Sequence, residues 1–431
     1  MLFKKIWLYV NALLFVGLLL AFGLYFLIAP HNSRSEFEKR ALAPRPAFNW
    51  ANLFSSHYLD SLDLYVADNF PGREQFVAWA FAIRQHRGWP SEQVAFYKQT
   101  VMLNPVQPRP TQTQSKPDKK STTTEKNPED SLSLAQESSI KGVLIYKGMA
   151  IQLFGGNAQY VRPMAEAINH YRQKLPPSVR VLSLTVPTHA EFYLPKRYRH
   201  LASSESENIR DFHALLLPGI VAIDPCASLR QHQNEYIYFN TDHHWTGLGA
   251  YYAYQVYCQM TGQRAVPLRA MAHKVIPGFY GSLYWLTRDA RLRQNVDSVV
   301  YHVVPGEFRT YALPTWNSPV GVPAQLYVSY AKGPSSYGVY LGIDDLLLRV
   351  DNLRQKNRRK LLLIKNSYGN PLATYLVSHF EQVFIVDYRY FKGRVLDLVR
   401  DQQITDVMLF NTTFSANTIT DVQQIRAILG E

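Results

Sequence analysis

Three consecutive residues, Asp242-His243-His244 in "YFNTDHHWTGLGAYYAY" (238–254), carry groups that move protons or bind cations. A second candidate, Ser367, lies in "LLLIKNSYGNPLATYLVSHF" (361–380), after an apolar run and ahead of Pro371. A serine hydroxyl becomes a useful nucleophile when an imidazole accepts its proton and a carboxylate holds the other ring nitrogen. Asp-x-His spacing in a turn entering a helix lets Asp242 orient His244 while His243 points away. Two other readings use the same residues. Asp242 or Thr246 could cap the following helix, leaving the histidines in solvent, and Ser367 and Asn366 are equally good caps ahead of Pro371. Asp and His also bind metals, but adjacent histidines on a strand face opposite ways, and no HxxxH pair or Cys cluster completes a tetrahedral set. No metal and no cofactor are expected.

These side chains need elements to position them. Buried strands are expected at "GVLIYKG", "VRVLSLTVP", "GIVAIDP", "KLLLI", "QVFIVD" and "ITDVMLFNTT", separated by helices over 159–175, from Trp245 to Gly262, and from Pro371. Continuous Leu/Ile/Val runs alternating with helices imply a parallel sheet covered on both faces, an α/β fold. Residues 263–345 hold Pro, Gly and short alternating stretches and read as an irregular β-rich insertion. Ligands of such sheets bind beyond the carboxyl ends of the strands. That rule makes Ser367 a site residue and nominates Tyr388, Arg389, Thr188 and His189 as substrate contacts. A hydroxyl and backbone N–H at the head of a helix also suit a developing oxyanion, for which the Ser367 N–H plus donors from another loop are expected.

The chain opens differently. Trp7 to Ala29 is uncharged for 23 residues behind Lys4 and Lys5, enough at about 1.5 Å per residue to cross a hydrocarbon core of about 30 Å. It lacks the shorter apolar run and small-x-small site of a cleaved signal. Residues 1–29 therefore read as an inner-membrane anchor with its N-terminus inside, and the rest as extracytoplasmic or periplasmic. Residues 30–103 form an N-terminal segment expected to pack on the main domain, with helix, turn and helix in "YLDSLDLYVADNFPGREQFVAWAFAIRQ". Residues 104–139 lack large apolar side chains and read as a disordered insertion; 140–431 form the catalytic domain. The net charge of +13 suits anionic partners in general, but no basic run interleaved with aromatics marks a nucleic-acid module. Cys226 and Cys258 permit a disulfide without implying one.

Together, "YFNTDHHWTGLGAYYAY" and "LLLIKNSYGNPLATYLVSHFEQVFIVDYRYF" resemble the bacterial DHHW proteins, a branch of the SGNH-hydrolase-like proteins related to the alginate O-acetylation factors AlgX and AlgJ. "EFEKRALAPRP", "VADNFPGR", "VPTHAEFYLP" and "GFYGSLYW" follow the same order. The Asp-His-His-Cys motif of palmitoyl transferases does not fit, because Trp245 stands where their thiol would be. The resemblance implies an SGNH-like domain with a permuted triad order: Asp242 orienting His244, His244 the base, Ser367 the nucleophile. Asn366 departs from relatives that carry Asp before the serine, and His243 receives no catalytic role. The implied function is a membrane-anchored O-acetyltransferase that acetylates a surface or secreted polysaccharide through an acetyl-serine. Its implied partner is a multispanning membrane-bound O-acyltransferase that supplies the acyl group. An SGNH-type acetyl esterase and a non-catalytic polysaccharide-binding factor are the alternatives.

Overall fold

The computed structural model describes residues 2–28, 34–35, 40–48, 50, 56–73, 75–76, 79, 94–97, 140–318, 320–344 and 347–430. The insertion at 104–139 and most of the helix expected after Gly72 lie outside them. The chain divides near residue 90 into two compact units. The first contains α1 (Leu2–Ile28) and α2 (Ser56–Asn69). In it, Asp68 accepts from the Ala43 N–H at 2.9 Å and the Asn69 amide donates to the Ala43 carbonyl at 3.0 Å, tying "VADN" to "ALAP". α1 carries the uncharged run as far as Ile28. Among the described residues no helix is long and apolar enough to cross a membrane.

The second unit opens with a three-stranded antiparallel sheet, β1 (Val94–Tyr97), β2 (Ile140–Tyr146) and β3 (Met149–Phe154). Helix α3 (Ala158–Lys174), capped by Asn157, leads to β4 (Arg180–Val186); α4 (Glu205–Ala214) leads to β5 (Ile220–Ile223). Next come α5 (Gly247–Met260) and an antiparallel ribbon of β6 (Ala272–Phe279) and β7 (Asp297–Val303). They are followed by β8 (Phe308–Leu313), β9 (Val322–Ala324), β10 (Leu347–Asn352), β11 (Lys360–Lys365), α6 (Asn370–Leu376) and β12 (Gln382–Asp387). The chain closes with α7 (Val395–Gln402), β13 (Asp406–Thr412) and α8 (Ile419–Ala427).

The main sheet has the order β9-β8-β10-β12-β11-β13-β4-β5. Its half from β12 to β5 is parallel, and the half from β9 to β12 pairs antiparallel. The expected parallel sheet is therefore mixed. Strands β8 and β9, from within 263–345, extend it, so that segment is only partly a separate insertion. The reason is visible in β10, where buried and half-buried positions alternate along "LLRVDN". That pattern covers an edge that the continuous runs alone would leave open.

In β11 the apolar run is buried on both faces. Leu361 and Leu363 pack with α5 and α6, while Leu362 and Ile364 pack with α3, α7 and α8. Full burial of each such side chain stabilises the fold by about 1.5–3 kcal/mol. This two-sided core fixes where β11 ends, and Ser367 follows two residues beyond that end.

Candidate active site

Ser367 and His244 lie 123 residues apart in sequence, yet Ser367 Oγ is 3.1 Å from His244 Nε2. On the other side of the ring, His244 Nδ1 lies 2.5 Å from Asp242 Oδ1, which also accepts the His244 backbone N–H at 2.9 Å. Asp242 Oδ2 accepts the Ser282 N–H at 2.6 Å. Burial opposes the charged form of Asp242, but the adjacent imidazoles and these donors outweigh it and hold its carboxyl below the ordinary range. Asp242 therefore stays anionic beside His244.

Capping falls to other residues. Thr246 caps α5 by accepting the Gly249 N–H, and Asn366 accepts the Tyr368 N–H at the turn Ser367–Gly369. Asp242 and Ser367 are thus free of the duties that the rival readings gave them. Trp245 joins the two sequence motifs directly: fully buried, its indole N–H donates to the Tyr368 carbonyl at 2.8 Å.

The loop before Asp242 is held by Asp297, which accepts from the Asn240 and Thr241 N–H groups, the Thr241 hydroxyl and the Tyr236 hydroxyl. Burial raises the pKa of Asp297. Gly281 presses against the same loop, and a Cβ there would meet Asp242 Cβ at 2.1 Å. Only a glycine allows so close an approach. Tyr337 completes the enclosure: its ring stacks on His244 at 4.0 Å and its hydroxyl donates to the Ser367 carbonyl at 3.0 Å. Asp297 and Tyr337 carry no local signal in the sequence; the glycine and serine of "GFYGSLYW" do, as a small residue and a polar one inside an aromatic stretch.

The four expected substrate contacts fare differently. Thr188 is buried, with its N–H and hydroxyl both given to Glu205 at 2.7 and 2.8 Å. His189 is fully buried against Tyr238, and burial lowers its pKa to about 4. Tyr388 is buried, with the Asn366 amide donating to its hydroxyl. All three belong to the interior that supports the strand ends rather than to an open crevice. Arg389 stays 30% exposed, held by Asp387 at 2.8 and 2.7 Å and by Asp344 at 3.2 Å. The same Asp344 accepts from Lys365 and from Asn370, on either side of Ser367. Arg389 thus braces the turn that holds Ser367.

His243 does not point away as expected. Its ring lies 3.8 Å from that of His244, and its Nδ1 is 2.6 Å from Ser282 Oγ. Ligand-type atoms of Asp242, His243 and His244 fall within 4.8 Å of one another. The Asp242 oxygens, however, already accept N–H groups from His244 and Ser282, which suits proton transfer better than a cation. Cys226 and Cys258 are both free and buried.

No curated protein matches the sequence. Among solved structures, a DHHW family protein from Eubacterium siraeum is 29% identical, with a TM-score of 0.61 over 68% of this chain and 97% of that one. Bacillus cereus PatB1 is 20% identical, with a TM-score of 0.54 over 64% of this chain and 96% of that one. PatB1 with a sulfonyl adduct matches at 19% identity and a TM-score of 0.51, over 62% of this chain and 92% of that one. The DHHW protein family profile matches residues 164–386, a span that holds Asp242, His244, Trp245 and Ser367 together. With that match over half of its length, and with Asp242, His244 and Ser367 joined by hydrogen bonds in the fold, the chain belongs to the DHHW family.

Proposed function

We propose that this protein is a membrane-anchored, extracytoplasmic O-acetyltransferase that acetylates a surface or secreted polysaccharide through an acetyl-serine intermediate. The observation that carries the reading is the hydrogen-bonded line from Asp242 through His244 to Ser367 at the carboxyl end of β11. His244 Nε2 takes the Ser367 proton as Oγ attacks the acyl carbonyl, and returns it to the departing group. In the second half, His244 takes the proton of a sugar hydroxyl, whose oxygen attacks the acetyl carbon as the bond to Oγ breaks. Asp242 stabilises the imidazolium in both halves. The Ser367 N–H, at the head of its turn and outside the intrahelical bonding, is one proposed oxyanion donor. A multispanning O-acyltransferase would deliver the acyl group, and α1 would keep the site beside it.

The test compares the full chain in detergent with Ser367→Ala, using an acetyl ester with and without an oligosaccharide. Acetyl transfer to the sugar, lost about 10⁴-fold or more in the variant while its thermal unfolding is kept, is the expected result. Ester hydrolysis that no sugar can divert would instead make the protein an esterase. Equal turnover by both proteins would leave only a binding role. A sulfonyl fluoride, matched to the adduct recorded for PatB1, should label the parent and spare the variant.

A further inference from the structure

His243 and His244 share one carboxylate. The Nδ1 atoms of both rings face Asp242 Oδ1, at 3.6 Å for His243 and 2.5 Å for His244. The rings lie face to face at 3.8 Å with a tilt of 36°. Two stacked imidazoles whose Nδ1 atoms lie toward the same carboxylate oxygen turn their Nε2 atoms to the far side, away from it, so the two Nε2 atoms can serve one bound molecule. For His244 that far side is Ser367 Oγ, the atom that would carry the acyl group. The two side chains differ in access: 38% of His243 is exposed against 8% of His244.

The carboxylate next to Nδ1 favours the proton on that nitrogen, and Ser282 Oγ at 2.6 Å accepts it. The Nε2 of His243 then carries a lone pair and makes no hydrogen bond among the described residues. Partial loss of water around the half-buried ring and the neighbouring His244 both disfavour a charge on His243, so it stays an acceptor while His244 cycles.

From this geometry we infer that His243 is an acceptor-binding residue, and that the acceptor is a sugar unit with two adjacent hydroxyls. One hydroxyl gives its proton to His244 Nε2 and attacks the acetyl carbon; its neighbour donates to His243 Nε2. The inference rests on the acetyl-transfer reading of the same site and adds to it the class of acceptor. It also gives the half-exposed histidine a purpose that water, with a single oxygen, exploits less well than a diol.

The experiment measures acetyl transfer by the full chain to two soluble acceptors, a glycoside with a free vicinal diol and its analogue O-methylated at the neighbouring position. The parent protein should prefer the diol by about tenfold in kcat/KM, the scale of one hydrogen bond. His243→Ala should erase that preference, chiefly through acceptor KM, and His243→Gln should restore part of it. A purely packing role would lower both acceptors alike and leave the preference standing. A preference that survives His243→Ala, or a parent that shows none, overturns the inference. A parent with no Ser367-dependent transfer to either acceptor overturns the transferase reading and this one with it.

Discussion

Ser367 Oγ stands 3.1 Å from a base whose far nitrogen is held at 2.5 Å by a buried carboxylate. The energetic weight of that carboxylate is electrostatic and tautomeric together. Asp242→Asn keeps the shape but can present its amide to His244, placing the ring proton on the nitrogen that should accept from Ser367. The expected outcome is a loss of about 10³–10⁴ in kcat with a near-normal unfolding temperature, read from acetyl-ester turnover and thermal denaturation. A loss below about tenfold would mean that His244 is oriented by its other contacts, chiefly the Tyr337 ring stacked on it at 4.0 Å.

At the scale of elements, the strand ends around the site are stitched by one buried carboxyl. Glu205, on α4, accepts from Thr188 beyond β4 and from Thr413 beyond β13. Burial lifts its pKa from 4.5 to about 7 despite these donors. The folded chain therefore holds a proton that the unfolded chain has released. This contribution to stability is fully present below pH 4.5 and is lost as pH rises to about 7, on the order of 3 kcal/mol in all. Histidines held neutral, such as His189 and His379 with pKa values lowered to about 4, act in the opposite sense, destabilising the fold as pH falls below 6.5. The measurement that isolates Glu205 is the difference between parent and Glu205→Gln in urea midpoint, taken at about pH 5 and about pH 7.5. The parent should lose more stability over that interval than the variant; parallel profiles would mean that Glu205 is ionised throughout.

For the whole molecule, the proposed anchor rests on α1. The uncharged stretch is in helix from Trp7 to Ile28, within a 27-residue helix, in a unit separate from the one that contains Ser367. If that helix is the anchor, the full chain expressed in a bacterial host should stay with the membrane pellet after alkaline extraction, which strips peripheral proteins. Release into the supernatant would remove the anchor from the proposal and leave the site chemistry as it stands. Cys226 and Cys258 bear on location only weakly, since both are buried and free.

The candidate groups Asp242, His244 and Ser367 and the parallel half of the sheet are legible in the sequence, because both are written locally. An unbroken run such as "KLLLIK" admits burial on both faces, and Asp-x-His before a capped aromatic helix sets its own spacing. The sequence does not show which polar residue caps a helix and which meets the histidine, nor that His243 turns back beside His244. It also left open that β8, β9 and β10 complete the sheet. Those outcomes depend on contacts between distant segments: Asn366 and Thr246 take the helix caps, Trp245 binds the Tyr368 carbonyl, and Asp297 and Gly281 fold the 240–242 loop onto itself. That Ser367, rather than another hydroxyl, meets the histidine follows from the tertiary fold, because the pairing is fixed by where β11 ends against the packed faces of α5 and α6.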